Sequence, residues 1–232
     1  MSFFQTETVA CPECGANVEF DVVYSVNAVL RPDLRDAILD RTFQRETCGQ
    51  CGHSFRVDPE LTYLDYLRRQ WLLVRPPQDL AEWLSMEKYA HSFFEAAFGA
   101  DAPASSRKLG KGLTVRLVFG WPAMREKLVC AELGLNDVDV ELVKFGLLRN
   151  LDASLFSEQT ELRLVGMADD QLGIAVINIE DELPRETIPV PKAIYDEIAN
   201  DQGDWQALRE QLAAGPFVDI RRLLAPAEIT PV

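Results

Sequence analysis

The sequence predicts an α+β fold in two parts, and three observations carry that reading. Four of the five cysteines form two C-x-x-C pairs, CPECG at 11–15 and CGQCG at 48–52, each followed by glycine. Short runs of β-branched and aromatic residues alternate irregularly with segments of helical periodicity, without a βαβ rhythm. One stretch rich in small and polar residues, GADAPASSRKLGKG at 99–112, fits neither pattern and reads as a linker. The expected organisation is a cysteine-knuckle domain over 1–98, a linker over 99–112, and a second, acidic α+β domain over 113–232.

Each element follows from its own residues. VEFDVVYSVNAVL (18–30) alternates in part and reads as a strand. Pro32 suits the first turn of a short helix, DLRDAILD, because its missing N–H is not needed there. TFQRETC (42–48) leads into the second cysteine pair as a strand and SFRVD leads out of it. LTYLDYLRRQWLLVRP (61–76) reads as strand, turn, strand, stopped by Pro76 and Pro77. Between 77 and 98, Leu80, Trp83, Leu84, Phe94 and Phe98 recur at helical spacing and predict one long amphipathic helix. LTVRLVF (113–119) reads as a strand. WPAMREKLVCAELG (121–134) is a helix with Pro122 in its first turn and Gly134 past its end. A second helix, VDVELVKFGLLRN, is capped by Asn136 or Asp137. ELRLVGM and QLGIAVINI flank Asp169–Asp170 as a hairpin, and KAIYDEIAND and DWQALREQLAAG follow as two further helices.

Acidic residues outnumber basic ones by 37 to 23, a net charge of −14, and residues 150–232 supply most of the excess. Such a field repels phosphate backbones, so nucleic acid is a disfavoured partner. No run approaches the roughly 20 apolar residues of a membrane helix, and residues 1–10 show no basic leader region. The expectation is a soluble cytoplasmic protein, whose cysteines then bind metal or do redox work rather than form disulfides.

The metal reading is the sharper of the two. Zn2+ takes four soft ligands at tetrahedral corners, and each C-x-x-C turn supplies two, so Cys11, Cys14, Cys48 and Cys51 complete a shell. Gly15 and Gly52 suit a backbone that turns through positive φ to aim amides at the sulfurs. The spacer between Cys14 and Cys48 exceeds that of a compact site, and a strand–helix–strand insertion accommodates it. A shell closed by four thiolates has no seat for a reactant, which predicts one structural Zn2+ and zinc-ribbon-like knuckles inserted in a larger α+β domain. The alternative is a dithiol switch at either pair, although neither pair opens a long helix. His53, adjacent to the second pair, reads as a bystander to a full shell, and Cys130 as a small buried hydrophobe within its helix.

CPECGANVEFDVVYSVNA, RPDL followed by RTFQRETCGQCGHSFRVD, and LTYLDYLRRQWLLVRP together resemble the CpXC domain family. The likeness spans roughly 9–135 and rests on the two knuckles and the Tyr63-x-Asp65 strand. The second pair carries Gly49 where the family pattern has proline, which bears on knuckle stiffness and leaves ligand spacing intact. The resemblance implies a zinc-ribbon-like start on a larger domain and no assigned activity.

Outside the cysteines, Glu87 and His91 lie one helical turn apart on the apolar face of the 77–98 helix. They read either as a buried pair or as the acid and base of a pocket, with Asp65 as a third candidate. Asp65 itself sits at a hairpin turn, where aspartate commonly accepts hydrogen bonds from its own backbone. Asp169–Asp170 and Glu180–Asp181–Glu182 read as solvated turns. The helix pair 122–133 and 137–149 has helix-turn-helix spacing, but Asp137, Asp139 and Glu141 at the start of the second helix would oppose phosphate. Three functions follow. The first is a non-enzymatic, zinc-binding interaction or adaptor protein that meets a protein partner or a second copy of itself, with Tyr195, Trp205 and Phe217 as exposed anchors. The second is an enzyme built on Glu87 and His91. The third, nucleic-acid binding through the ribbon, is opposed by the charge.

Overall fold

The computed structural model describes residues 2–149 and 159–224. It is a mixed α+β structure that divides into two compact units, Met1–Arg125 and Glu126–Val232. The first contains β1 (Phe3–Ala10), β2 (Asn17–Asn27), α1 (Pro32–Leu39), β3 (Arg45–Thr47), β4 (Ser54–Arg56), β5 (Leu61–Asp65), β6 (Gln70–Arg75), a 3-10 turn (Pro77–Glu82), α2 (Trp83–Phe98), α3 (Ala104–Gly110) and β7 (Thr114–Phe119). α4 (Gly120–Leu133) carries the chain across the boundary between the units.

Five strands of the first unit form one sheet in the order β1-β2-β5-β6-β7, and β3 and β4 form a separate two-stranded ribbon. β1 and β2 are antiparallel, as are β5 and β6, but β2 runs parallel to β5 and β6 parallel to β7. Two crossovers are therefore present where the sequence shows no βαβ rhythm. One carries α1 and the β3–β4 ribbon, and the other carries α2 and α3. This corrects the domain boundary. The 99–112 stretch holds α3, and β7 beyond it completes the first unit's sheet instead of opening a second domain. Small and polar residues give this segment the look of a linker, yet ASSRKLG forms a helix whose Gly110 is buried close against Phe98.

β6 is buried on both faces, with Trp71, Leu72, Leu73 and Val74 all within the core beside Leu61, Tyr63 and Leu117. The predicted 77–98 helix opens as a 3-10 turn and becomes α-helical at Trp83. Ala90 is its buried residue, and Leu84, Tyr89 and Phe93 are exposed. β1 lies outside the strands read from sequence.

The second unit contains α5 (Asp137–Leu148), β8 (Thr160–Ala168), β9 (Gln171–Asn178), β10 (Pro184–Pro191), α6 (Lys192–Asn200), α7 (Gln206–Leu212) and α8 (Arg221–Leu224). Its sheet is antiparallel in the order β10-β9-β8. The predicted hairpin is present, with Asp169 and Asp170 at φ 49° and 55°, the backbone a two-residue turn demands. Asn136 caps α5 by accepting a hydrogen bond from the Val138 amide at 2.9 Å. β10 escapes a propensity reading because Pro184, Pro189 and Pro191 interrupt it, and it occupies the sheet edge where proline is tolerated.

The expected aromatic anchors are core residues. Tyr195 and Phe217 are buried and Trp205 is half-buried against the same hydrophobic cluster as Tyr195. The Tyr195 hydroxyl accepts from the Asn136 amide at 2.9 Å, so its polar tip is satisfied inside. Cys130 is buried as expected, and burial pushes its thiol well above the ordinary range. Among the described residues no helix is long and apolar enough to cross a membrane.

Candidate metal centre

Two turns in different parts of the first unit build the site by the same local rule. The first knuckle closes the β1–β2 hairpin: the Cys11 amide donates to the Ala16 carbonyl at 2.8 Å, and the Gly15 amide donates to the Cys11 carbonyl at 2.9 Å. The second closes the β3–β4 ribbon with the same pattern, Cys48 amide to His53 carbonyl at 2.9 Å and Gly52 amide to Cys48 carbonyl at 2.8 Å. Gly15 and Gly52 sit at φ 71° and 73°. A Cβ at either would meet no atom within 4 Å, so the glycines are required by backbone conformation and not by space.

The four Sγ atoms converge, all within 4.8 Å of one another. Cys11 and Cys51 are 3.7 Å apart, as are Cys14 and Cys48. A disulfide would bring sulfurs to about 2.05 Å, so these are separate thiols. With zinc–sulfur bonds of about 2.3 Å, tetrahedral corners lie about 3.8 Å apart, and these two pairs match that edge. The residues present therefore fit one tetrahedral thiophilic cation. Cys11 and Cys48 are buried, packed with Phe55 against Val9, Ala16 and Val18, while Cys14 and Cys51 are exposed. The shell is filled by sulfur but is not sealed from water.

Electrostatics point the same way. Amides of Cys51 and Gln50 aimed at its sulfur bring the Cys48 thiol down to about 7. The His53 amide pulls on Cys51 likewise, but desolvation and the three crowding sulfurs push that thiol up to about 12. Four thiols this close cannot all ionise without a cation among them. His53 is exposed, stacks on Phe55 with centroids 6.5 Å apart, and stands outside the sulfur cluster.

Residues 9–144 match the family model described as CpXC protein. The chain belongs to the CpXC family. The match runs past the 9–135 of the sequence resemblance and ends inside α5, so the CpXC region includes both knuckles, the five-stranded sheet from Val9 onward, and α4. No curated protein and no solved structure matches the chain.

The remaining candidates of this CpXC protein form no second metal-holding group among the described residues. His91 is exposed and Glu87 half-buried, which overturns their placement on a buried apolar face. α2 covers its sheet along a narrow stripe, so residues flanking that stripe stay wet. Asp65 is fully buried, and both its oxygens serve the β5–β6 turn: Oδ1 accepts from the Leu67 and Arg68 amides at 3.1 Å each, and Oδ2 from the Arg68 guanidinium at 3.0 Å. That is the turn-holding role aspartate plays in such positions. Asn178 accepts from the Glu180 and Asp181 amides, keeping the acidic 180–182 segment a turn.

Sequence reasoning misses the densest ionisable cluster among the described residues. In the second unit the Lys144 ammonium, fully buried, donates to both Glu126 oxygens at 2.9 Å, to Glu141 at 2.8 Å and to the Leu162 carbonyl at 3.2 Å. Arg163 bonds Glu126 and Asp219 at 2.9 Å and Glu161 at 2.7 Å, and Lys127 bonds Asp137 at 2.9 Å and the Val218 carbonyl at 2.8 Å. Asp139 pairs with Arg209 at 2.9 Å. The acids at the start of α5 thus point inward at cations. The available signal is the run VDVELVKFGLL, too apolar all round for its charged residues to share one wet face.

Proposed function

We propose that this CpXC protein is a non-enzymatic, zinc-stabilised interaction protein of the cytoplasm, in which one Zn2+ bound by Cys11, Cys14, Cys48 and Cys51 has a structural role. The observation that carries this reading is the convergence of four sulfurs within 4.8 Å, two pairs of them at a tetrahedral edge length, from two matched knuckles. Four thiolates at tetrahedral corners are the donor set of a structural Zn2+, and elemental analysis separates it from iron in the same set. A reducing compartment keeps such thiols available to metal. The enzyme reading loses its support because His91 is exposed and Asp65 is committed to its turn.

Elemental analysis of the purified protein tests it, with one zinc per chain expected. Protein that is folded and metal-free, or a Cys48→Ser variant with unchanged zinc content, overturns it. Preserved cellular function in Glu87→Gln and His91→Ala variants distinguishes interaction from catalysis at that pair.

A further inference from the structure

Every sheet has edges, and an uncovered edge strand offers backbone N–H and C=O groups to another strand. In this protein the long edges differ in one respect. β8 is covered over its first half by side chains, Lys144 donating to the Leu162 carbonyl and the Leu164 amide to Glu126 at 2.7 Å, and it is bulged at Val165 beyond that. β10 carries three prolines. β7 ends in three buried residues, and the Arg116 guanidinium occupies the Val115 carbonyl of the same strand at 2.9 Å. β3 and β4 are three residues each. β1 has none of these devices. It is eight residues long, mostly exposed, without proline or lysine, and no strand lies on its outer side among the described residues. Phe3 is 55% and Phe4 39% exposed. The one irregularity in its ladder with β2 falls between Phe3 and Phe4 and places the extra residue, Tyr24, on β2, so β1 stays regular.

We infer that β1 is a homodimerisation strand, pairing antiparallel with β1 of a second copy about a two-fold axis through Thr6. This names the partner and surface of the interaction reading above and rests on it in that respect only. The sequence FFQTETVA chooses the register. A two-fold axis normal to the sheet keeps each face on its own side, so facing residues share parity. Centred on Thr6, Phe3 faces the partner's Val9, Phe4 faces the partner's Thr8, Gln5 faces the partner's Glu7, and Thr6 faces the partner's Thr6. Apolar meets apolar at Phe3, an amide meets a carboxylate twice, and no like charges are opposed. Centring on Glu7 would oppose two carboxylates. The continuous sheet then spans both copies, with both metal knuckles left at its margins. A single strand pair is smaller than the roughly 1,200–2,000 Å2 of a stable interface. The dimer is therefore concentration-dependent.

Sedimentation equilibrium on the zinc-loaded full chain over a concentration series reads the association, with zinc content and thermal transition recorded on the same samples. Gln5→Glu opposes two carboxylates across the axis and is expected to weaken association several-fold. Gln5→Lys creates two opposite-charge pairs and is expected to tighten it by a similar factor. The same charge changes at Ser92, exposed on α2, control for net charge and should move association little. Folded, zinc-loaded protein that is monomeric at its highest soluble concentration overturns the β1 dimer and leaves the zinc reading standing. A dimer whose strength ignores the sign of the charge at Gln5 overturns it equally, since the interface then lies elsewhere. Absence of zinc in a protein that still dimerises with the Gln5 sign reversal overturns the metal reading alone.

Discussion

Both units of this CpXC protein hold polar chemistry inside a fold, and they do so from opposite kinds of sequence. The first gathers four sulfurs from two turns, each of which is a six-residue rule repeated almost atom for atom. The second gathers its charges from α4, α5, β8 and the 219–221 segment, with no local motif at any of them. The knuckles require an added ion to reconcile like-charged thiolates. The charge cluster reconciles itself, carboxylate against ammonium and guanidinium, and in doing so finishes the open edge of β8. Local rules survive changes elsewhere in the chain, whereas the distributed network depends on every element arriving in place.

That contrast can be broken most severely at the metal. Stripping it with a chelator, or Cys48→Ser, should cost the first unit on the order of 10 kcal/mol of apparent stability. Calorimetry should show the transition of the first unit lost and a second transition retained. Next in size is Lys144→Met, which leaves Glu126 and Glu141 buried without their shared cation and is expected to destabilise the second unit by about 3–5 kcal/mol. Denaturant titration followed by tryptophan fluorescence, read in the second unit's transition, checks it, and metal content should not change.

A smaller effect separates the network's members by pH. Burial, with the charges of Glu126 and Asp219, pushes the Glu141 carboxyl from 4.5 up to about 7 despite Lys144 and Lys127. The folded state then holds a proton that the unfolded state releases. Its stabilising contribution is full below pH 4.5 and lost as pH rises through about 7. Asp219 behaves oppositely: against the cost of burial, Arg163 and Arg221 hold its carboxyl far below the usual range, so its contribution is present above 3.8 and lost as pH falls below that. Unfolding midpoints at about pH 5 and about pH 8 should differ in the native protein, and Glu141→Gln should flatten that difference. At the bottom of the scale, His91→Ala on the exposed side of α2 should change stability by less than about 0.5 kcal/mol, measured on the first unit's transition in a denaturant titration.

The same contrast explains what the sequence discloses. Cys11, Cys14, Cys48, Cys51, Gly15 and Gly52 are readable because ligand chemistry and positive φ are written in adjacent letters. Pro32, Asn136 and Asp169–Asp170 are readable for the same reason, as each fixes its own backbone. The burial of Glu126, Glu141 and Lys144 is not, because a charged residue looks solvent-bound until its partner on another element is known. β1 and β10 escape notice for different causes: the first alternates weakly and stays exposed, and the second is interrupted by prolines that only an edge accepts. α3 escapes a reading from composition, since Gly110 serves a close approach to Phe98 and not helix periodicity.

The distance between the knuckles also sets an order of events during synthesis. At roughly 5–20 residues per second, Cys48 emerges about 2–7 s after Cys14, so every nascent chain spends seconds displaying half a chelate. A cation taken up in that interval would have the two thiols of Cys11 and Cys14 and would need Cys48 and Cys51 to complete its shell.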